Sequence, residues 1–498
     1  MFCLTDSYDY EQLSFVEQIS KVGDLSNKDP AKFIELLKNH FDISTFIPKP
    51  FYDSYYSSTT NDKNYSLESM LTILLLIHFF NFSSVPNFLF SLCFSPDLRS
   101  FCRLKDDLVP DQSLVSKFKT KYNSEIMGLF DNLAFHVMGI FTEYNDSLPD
   151  NSPLKGLSEQ LIYDTTGLKP KVKENNPKTV ESEIRRQSRY KSYLECKGDG
   201  KAKSFNVYSA AFANLPKHAN ANPLIKLGYA NGHFGYFYKF GTLTNGFGIP
   251  LHIRFLDEGF YESLPSEFEL PEEQKSAFDN ASLSPVLSAF WKAKGANRFT
   301  TFLGDSEFDS YDNFSFLNQL GFSKVVIPIN TRNSKPQSDN PIPKNEEGVP
   351  CCPKDTLLPF IFDGPCKGKN RSLRFKYVCP KSKRLKGNWA SPCENKCRPT
   401  NSAVTTYVYP DGDLRFYSGV LRGSDEWASL YKRRTVIERH FSAMKSHPMI
   451  EKPRTHNCDS MRSDVFLNTS TKLITVILAF ALGHVDYMKN LRKLLKAA

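Results

Sequence analysis

The sequence lacks the features of exported, membrane-spanning and disulfide-stabilised proteins. Residues 1–10 carry acidic side chains where a secretory signal has a basic region before an apolar core, so we expect no export signal. The longest apolar runs, residues 70–80 and 473–482, are too short to cross a bilayer. Eleven cysteines in 498 residues do not indicate a secreted disulfide scaffold. We therefore expect a soluble protein of the cytoplasm.

The chain also lacks an internal repeat, and its length and composition indicate several ordinary globular domains. A chain of 498 residues is too long for one hydrophobic core, so we expect two or three domains. Hydrophobic residues make up 40% of the chain and charged residues 23%, which is the balance of a folded protein. The net charge of +9 favours an anionic partner but does not identify it.

The positive charge is concentrated in three segments. Residues 431–498 contain 13 Lys or Arg against 5 Asp or Glu, and residues 169–201 contain ten basic and five acidic residues. Residues 366–386 contain nine basic residues and no acidic one. Each of these segments alone can be an ordinary solvated face, so they leave nucleic-acid binding open.

The pattern of residues predicts an α/β protein in four parts. Residues 1–155 are expected to form a helical domain, either for DNA binding and dimerisation or as a plain helical bundle, with Ser66 and Asp111 as helix caps. Residues 156–330 contain strands, among them a hairpin at Asn245-Gly246. Residues 331–402 are expected to form a basic, Cys-rich insertion. Residues 403–498 return to helices, including one continuous helix over residues 425–446.

Two aspartates follow apolar, strand-like runs in the second part. Asp164 ends the run Leu161-Ile162-Tyr163, and Asp305 follows Phe302-Leu303-Gly304. Strand ends are where a sheet presents side chains to a cleft, and a carboxylate beside buried residues needs a cation or hydrogen bonds. A simple turn after each strand is the alternative. We predict that both aspartates lie at the ends of their strands.

A third acid lies in a helix with regularly spaced neighbours. Tyr431, Arg434, Glu438 and Lys445 are 3, 4 and 7 residues apart. In a continuous α-helix these four side chains fall in a stripe about 60° wide, beside an apolar stripe that can pack on a sheet. A helix with ordinary charge pairs four residues apart is the alternative.

The run Tyr431-x2-Arg434-x3-Glu438-x6-Lys445 resembles the Tyr-Arg-Glu-Lys signature of bacterial insertion-sequence DDE transposases. The spacing matches without a gap. In that family the first Asp lies on the first strand of a ribonuclease-H-like core, the second Asp follows the fourth strand, and the Glu lies on a later helix. The resemblance therefore implies that residues 156–330 and 403–498 form this catalytic core, with the Cys-rich insertion between them.

The resemblance also implies a chemistry. Asp164, Asp305 and Glu438 would be the catalytic residues and would hold two Mg²⁺ ions, for which Mn²⁺ can substitute, because hard divalent ions prefer oxygen ligands. DNA contacts are expected from Tyr431, Arg434 and Lys445. By their position just beyond Asp164, Lys169, Lys171 and Lys173 are either further contacts to the DNA backbone or an ordinary solvated surface. The partners would be transposon terminal inverted repeats and target DNA, bound by a nucleoid-associated homodimer in a synaptic complex. The alternatives are a nuclease of the same fold that does not transpose, and a decayed or domesticated copy that binds DNA without catalysis.

The acids and cysteines near these residues have plainer explanations. Asp309 and Glu307 follow Asp305 and are expected to be turn residues, and His252 and His440 are expected to be structural. The six cysteines of the insertion are either free thiols or, in part, a structural Zn²⁺ site of Cys393, Cys397 and Cys379 completed by Cys366 or Cys351. The six are Cys351, Cys352, Cys366, Cys379, Cys393 and Cys397.

Overall fold

The computed structural model of the chain contains two compact units, which are described separately. Unit 1 comprises Met1–Tyr144, Thr166–Lys239 and Phe441–Ala498, and unit 2 comprises Asn145–Thr165 and Phe240–His440. The structure describes residues 30–57, 63–105, 108–230, 232–257, 259–260, 279–295, 298–330, 342–345, 349–366, 374–385, 388–390, 393–394, 397, 404–409, 415 and 417–498.

The helices of the described residues are numbered in chain order. They are α1 (Pro30–His40), α2 (Lys49–Tyr56), α3 (Leu67–Phe79), α4 (Val85–Phe94), α5 (Pro96–Phe101), α6 (Gln112–Lys121), α7 (Asn123–Ser147), α8 (Pro177–Cys196), α9 (Lys201–Ser204), α10 (Val207–Asn214), α11 (Asp279–Lys294), α12 (Tyr311–Gln319), α13 (Asp425–Arg433), α14 (Thr435–Lys445), α15 (Pro448–Glu451), α16 (Cys458–Ala481) and α17 (Leu491–Ala497).

The strands are numbered in the same way. They are β1 (Gln160–Leu168), β2 (His218–Ala219), β3 (Asn222–Ala230), β4 (His233–Asn245), β5 (Pro250–Phe255), β6 (Thr301–Leu303), β7 (Lys324–Val326), β8 (Cys351–Cys352), β9 (Asp355–Pro359), β10 (Ile361–Cys366), β11 (Arg374–Val378), β12 (Lys383–Leu385), β13 (Asn388–Ala390) and β14 (Thr405–Val408).

The helices of unit 1 begin where the sequence provides capping side chains. Ser66 accepts a hydrogen bond from the Ser69 N–H at the start of α3, and Asp111 accepts from the N–H groups of Ser113 and Leu114 at the start of α6. Both caps satisfy N–H groups that have no partner inside the helix. The two predicted caps are therefore confirmed.

Helix α16 is the apolar centre of unit 1. It packs against α3 and α6. Among the described helices it is the one that by length and composition is long and apolar enough to span a membrane, and 83% of its most apolar window is buried within the protein. Such burial is typical of a core helix, whose apolar side chains meet other protein rather than lipid.

A buried ion pair joins α6 to this core helix. Lys119 Nζ lies 2.6 Å and 2.7 Å from the two carboxylate oxygens of Asp464, and both side chains are almost fully buried. Nε2 of His78 lies 3.4 Å from the same carboxylate. Burial raises the pKa of Asp464, but Lys119 and His78 lower it by more, so the net pKa lies below its ordinary value.

Unit 2 contains five strands of a seven-stranded sheet, in the order β5-β4-β1-β6-β7; the other two strands, β2 and β3, lie in unit 1. Strand β1 pairs in parallel with β6, and β6 pairs in parallel with β7, whereas β4 and β5 form an antiparallel hairpin. The hairpin predicted at Asn245-Gly246 is confirmed. The left-handed residue of its turn is Gly248, with a φ of 76°, and an added Cβ there would lie 3.1 Å from the Cβ of Val436.

The segment that the sequence marks as an insertion, residues 331–402, forms most of a small sheet in its described residues, which β14 completes beyond residue 402. Strands β10, β11 and β14 form an antiparallel sheet, and β8 and β9, like β12 and β13, form two-stranded pairs. A cluster of nine buried residues covers the sheet: Ile342, Val349, Cys352, Phe360, Phe375, Tyr377, Cys379, Val404 and Val408. So small an apolar cluster contributes little stability by itself.

The buried pair in unit 1 gives a test of its packing. Replacing Asp464 by Ala leaves the Lys119 ammonium buried without its partner, so we expect the free energy of unfolding to fall by about 3–5 kcal/mol. Because the pKa of the folded-state carboxyl is lowered, the contribution is present at neutral pH and is lost only as the pH falls through that lowered pKa. Urea unfolding followed by circular dichroism measures the change.

The matched control replaces both partners. The double variant Lys119→Met with Asp464→Leu removes both buried charges and leaves apolar groups of similar size, so it should recover most of the lost stability. A single variant Asp464→Ala as stable as the wild type would contradict the assignment.

Candidate active site

Three carboxylates of unit 2 meet at one guanidinium. Nη1 of Arg434 lies 3.4 Å from Oδ2 of Asp164 and 3.4 Å from Oδ2 of Asp305, and Nη2 donates to Glu438. The acids are separated by more than a hundred residues in the sequence, and β1, the loop after β6 and helix α14 bring them together. The three acids and the arginine selected from the sequence therefore form one cluster, which we call the carboxylate cluster.

Strand β1 holds Asp164 in its middle and not at its end. The strand continues through Thr165 and Thr166 to Leu168, so the predicted strand end at Asp164 is wrong. The two β-branched threonines favour extended backbone, which explains the longer strand. Asp164 and Thr165 are the half-buried residues of this otherwise buried strand. A carboxylate at this position is fixed by a strand that pairs with β6, next to the other aspartate.

Asp305 follows β6 by two residues, as the sequence predicts. Its side chain caps the short 3-10 helix Ser306–Phe308 and accepts hydrogen bonds from the backbone N–H and the hydroxyl of Ser306. Gly304 precedes it, and a Cβ there would lie 3.1 Å from Phe302 and 3.3 Å from Ile327. The glycine lets the chain turn tightly at the end of the strand and brings Asp305 to the cluster.

The helix that bears Glu438 is divided, in contrast to the single helix predicted over residues 425–446. Helix α13 ends at Arg433 and α14 begins at Thr435. At the junction the N–H of Arg434 donates to Tyr431, and the N–H of Ile437 donates to Arg434, three residues back in each case. Arg434 keeps helical dihedral angles, with φ −51° and ψ −32°. The sequence around it contains no glycine or proline, so the break cannot be predicted from a helix-breaking residue.

The cluster is buried at Arg434 and open at Glu438. The exposed fraction of the side chain is 13% for Arg434, 19% for Asp164, 35% for Asp305 and 51% for Glu438. Burial disfavours the charged guanidinium, but Asp305, Tyr431, Asp164 and Glu438 more than offset it, so the pKa of Arg434 is raised above its ordinary value. A permanent cation thus compensates three like charges that would otherwise repel each other.

Two aromatic side chains of α13 lie beside the cluster. The Tyr431 ring lies 5.8 Å from the Arg434 guanidinium and stacks on Trp427, with ring centroids 5.2 Å apart. Burial raises the pKa of Tyr431; Arg434 opposes the shift, while Asp305 and Glu438 add to it. Trp427 was not selected from the sequence, although its position four residues before Tyr431 places both on one face of a helix.

The remaining predicted DNA contacts belong to unit 1. Lys445 ends α14 and donates a hydrogen bond to the hydroxyl of Thr166. Lys169, Lys171 and Lys173 follow β1, and all three are exposed, alternating with the buried Pro170 and Val172. Their alternation directs three ammonium groups to the same side of the chain and towards solvent.

The other acids and histidines considered in the sequence lie outside the carboxylate cluster. Asp309 is buried, accepts from Nε of Arg415 at 2.9 Å and also accepts the N–H of Asn330 at 2.7 Å. Glu307 is exposed on the short helix after Asp305. His252 is fully buried, and burial together with Arg254 and Lys294 holds its pKa well below the ordinary value. His440 is also buried.

The donor set of the carboxylate cluster suits a hard divalent cation. Its oxygens come from three carboxylates without a thiolate or an imidazole, which is the choice of Mg²⁺ and Mn²⁺. Among the residues that the structure describes, no three His, Cys, Asp or Glu side chains are already placed to hold a metal ion. The three carboxylates of this cluster contact the guanidinium of Arg434, so a cation at these oxygens would compete with it.

The six cysteines of the insertion form no disulfide bond in the described residues. Cys352 and Cys379 are buried in the same apolar cluster, and Cys397 packs against it. Burial, followed by Cys352, raises the pKa of Cys397. Cys352 was not among the ligands selected from the sequence, whereas Cys351 donates its thiol to the Val349 carbonyl at 3.3 Å. The structural zinc site stays a prediction.

A comparison with protein families identifies the N-terminal segment. Residues 23–121 match the family described as Transposase domain (DUF772), and the described part of this segment forms α1–α6. No curated protein and no solved structure matches the chain. The match covers about a fifth of the chain and indicates a transposase. It lies outside the segments that bear the carboxylate cluster, so the two observations are independent.

The neighbouring aspartates Asp305 and Asp309 should respond differently to substitution. Asp309→Ala leaves Arg415 without its buried partner, so we expect a loss of about 3–5 kcal/mol in the free energy of unfolding. Asp305→Asn keeps an oxygen for the Ser306 N–H and lies at a more open position, so we expect a change below about 1 kcal/mol. Urea unfolding of both variants measures the contrast, and equal losses would contradict these roles.

Proposed function

We propose that this chain is a DNA transposase of the DDE type that cleaves and joins DNA at transposon ends. The observation that carries the proposal is the convergence of Asp164, Asp305 and Glu438 on one side chain, Arg434. The transposase-domain match at residues 23–121 supports it from a separate part of the chain. Together they favour phosphoryl transfer on DNA over a structural ion cluster.

We also propose a ribonuclease-H-like core for unit 2. In chain order its five strands are β1, β4, β5, β6 and β7, with β6 as the fourth. Asp164 lies on the first of these strands, Asp305 follows the fourth, and Glu438 lies on a later helix. This agreement with the arrangement that the resemblance implies supports the assignment.

Asp164, Asp305 and Glu438 would hold the two divalent ions in this function. The ions supply an activated water or 3′-hydroxyl and neutralise charge on the leaving oxygen. The exposed carboxylate of Glu438 gives access from solvent, whereas Asp164 and Asp305 are fixed by β1 and by the cap on the 3-10 helix. Two of the three carboxylates, those of Asp164 and Asp305, are thus held in place by the backbone, and the third, that of Glu438, is accessible to solvent.

Arg434 has two roles in this proposal. Without a metal ion it offsets part of the negative charge of the three carboxylates and reduces their mutual repulsion. When the carboxylates hold cations, the guanidinium is released to donate to a DNA phosphate, for which its forked geometry is well suited. Tyr431, fixed by Trp427, then positions the DNA end beside the cluster.

Basic side chains of unit 1 would contact the rest of the DNA backbone. Lys169, Lys171 and Lys173 are exposed and follow directly after β1. Lys445 holds the Thr166 hydroxyl on the same strand that carries Asp164. Such contacts fix the register of a duplex without reading its sequence. A homodimer that pairs two terminal inverted repeats completes the proposed assembly.

Removal of any one carboxylate tests the proposed catalysis. Asp164→Asn, Asp305→Asn and Glu438→Gln should each lower the rate of DNA cleavage by more than about 100-fold. Loss of a group that merely hydrogen-bonds to a metal ligand lowers activity by up to about 100-fold, so loss of a ligand itself should exceed that value. DNA binding in EDTA should stay within a few-fold of wild type. The substrate is a duplex that carries the genomic sequence flanking the gene, incubated with Mg²⁺ and a supercoiled target plasmid.

The control for this assay is Glu426→Gln, which removes an exposed carboxylate of α13 that pairs with Lys324 of β7. A surface pair of this kind contributes little, so cleavage should be unchanged. Strand transfer into the plasmid supports a transposase. Nicking without transfer indicates a nuclease of the same fold, and DNA binding without cleavage indicates a copy that is not catalytic; either result contradicts the proposal.

Competition between Arg434 and the metal ion provides a second test. Arg434→Ala frees the carboxylate oxygens, so the dissociation constant for Mn²⁺ should fall by roughly tenfold, equivalent to one charge-assisted hydrogen bond. Titration of free Mn²⁺ by electron paramagnetic resonance measures it. Arg433→Ala removes an equal charge one residue away and should leave Mn²⁺ affinity within about twofold. Unchanged or weaker binding by Arg434→Ala would contradict competition.

A further inference from the structure

Helix α8 in unit 1 carries exposed aromatic rings that the proposed catalysis does not use. The exposed fraction is 49% for Tyr190 and 51% for Tyr193. Their ring centroids are 6.5 Å apart and their planes differ by 23°, so the two rings are nearly parallel. The edge of Phe205 packs against Tyr190, with centroids 5.5 Å apart, and fixes its position. Exposed, prearranged rings of this kind are costly in water and suit a flat ligand.

Basic residues flank the two tyrosines on the same face of the helix. Arg186, Tyr190, Tyr193 and Lys197 are 4, 3 and 4 residues apart, which places them in a sector roughly 60° wide at 100° per residue. We call these four residues the α8 stripe. From Arg186 to Lys197 the chain advances by eleven residue steps, which corresponds to about 16 Å along the helix axis. The buried residues of α8, Gln187 and Leu194, lie on the neighbouring face of the helix, roughly 80° to 100° round from Arg186.

The charges around the stripe favour an anionic ligand. The Lys197 ammonium lies 4.8 Å from the centre of the Tyr193 ring, at the exposed end of the helix. Arg186 is 66% exposed, and one nitrogen of its guanidinium is held 2.9 Å from Glu183, which leaves further donors facing solvent. At 100° per residue, Glu181 and Glu195 lie on the other side of α8. Glu183 is therefore the acid of α8 beside the stripe, and it orients a cation.

We propose that the α8 stripe binds an unpaired segment of DNA. The tyrosine rings would stack on bases, and Arg186 and Lys197 would contact the phosphates on either side. The bases of an intact duplex hide their faces from a protein, so stacking on these rings requires bases that are not paired. Spacing of about 16 Å along the stripe leaves room for a few nucleotides.

The combination of rings and cations distinguishes this ligand from a protein partner. In an apolar docking face, aromatic rings are surrounded by aliphatic side chains, whereas here a basic residue lies at each end of the pair of rings. A second copy of the chain would bring an equally basic surface against this one, and like charges oppose that contact. The choice of DNA over RNA rests on the proposed function, but the stacking itself does not.

Binding in EDTA tests the stripe without any metal-dependent cleavage. The probes are a fluorescein-labelled oligothymidine of about 20 nucleotides and a blunt duplex of the same length, a size within the range of single-strand binding sites. For the full-length chain we expect Tyr193→Ala and Tyr190→Ala each to weaken oligothymidine binding by roughly tenfold, and to change duplex binding less than threefold. Tyr193→Trp keeps a stacking ring and should bind oligothymidine as the wild type does.

The matched control is Tyr311→Ala, which removes an equally exposed ring from α12 in unit 2. It should leave binding of both probes unchanged. Lys197→Ala should weaken oligothymidine binding and reduce its salt dependence. Circular dichroism shows that each variant is folded, and Tyr193, which is half exposed, is the substitution that least disturbs packing.

Three results would overturn the proposal. They are a wild-type chain that does not bind oligothymidine, equal losses on the single strand and the duplex, and a Tyr190→Ala, Tyr193→Ala double variant that changes only the oligomeric state. These results are separate from cleavage at transposon ends. If the chain binds oligothymidine as expected but does not cleave DNA, the proposal for the α8 stripe stands and the proposed function is contradicted. If it cleaves DNA but does not bind oligothymidine through the stripe, only the proposal for the stripe is contradicted.

Discussion

Electrostatic repulsion among three carboxylates is the constraint on which the candidate site depends. The Arg434 guanidinium contacts Asp164, Asp305 and Glu438. Three negative charges grouped around one side chain, partly shielded from water, need a nearby cation to offset their repulsion. The guanidinium provides one charge for three, so the cluster remains strongly attractive to further cations. The proposed divalent-ion site and the observed arginine contacts therefore involve the same three carboxylates.

The fold supplies the positions for these charges. Parallel pairing of β1 with β6 places Asp164 near Asp305, and the interruption between α13 and α14 lets Arg434 reach both aspartates while it also pairs with Glu438. The aromatic stack of Tyr431 on Trp427 borders the arginine. Charge compensation, and the proposed metal binding and DNA positioning, thus depend on one short stretch of helix.

The sequence predicted which residues meet but not how the backbone brings them together. The spacing of Tyr431, Arg434 and Glu438 was sufficient to select them, because helical periodicity is local. The helix break at Arg434 was missed because its dihedral angles stay helical and only tertiary ion pairs mark it. The strand end at Asp164 was misplaced because the packing of both halves of β1 favours a longer strand. The four-part domain boundaries and the zinc site stay predictions, since each depends on contacts between distant segments.

Diffraction from crystals soaked in Mn²⁺, recorded at a wavelength where manganese scatters anomalously, tests the central claim most directly. We expect anomalous peaks within coordination distance, about 2.0–2.3 Å, of carboxylate oxygens from Asp164, Asp305 and Glu438, with the guanidinium of Arg434 displaced from them. Crystals that bind Mn²⁺ elsewhere, or in which Arg434 still contacts all three carboxylates at saturating Mn²⁺, would contradict it.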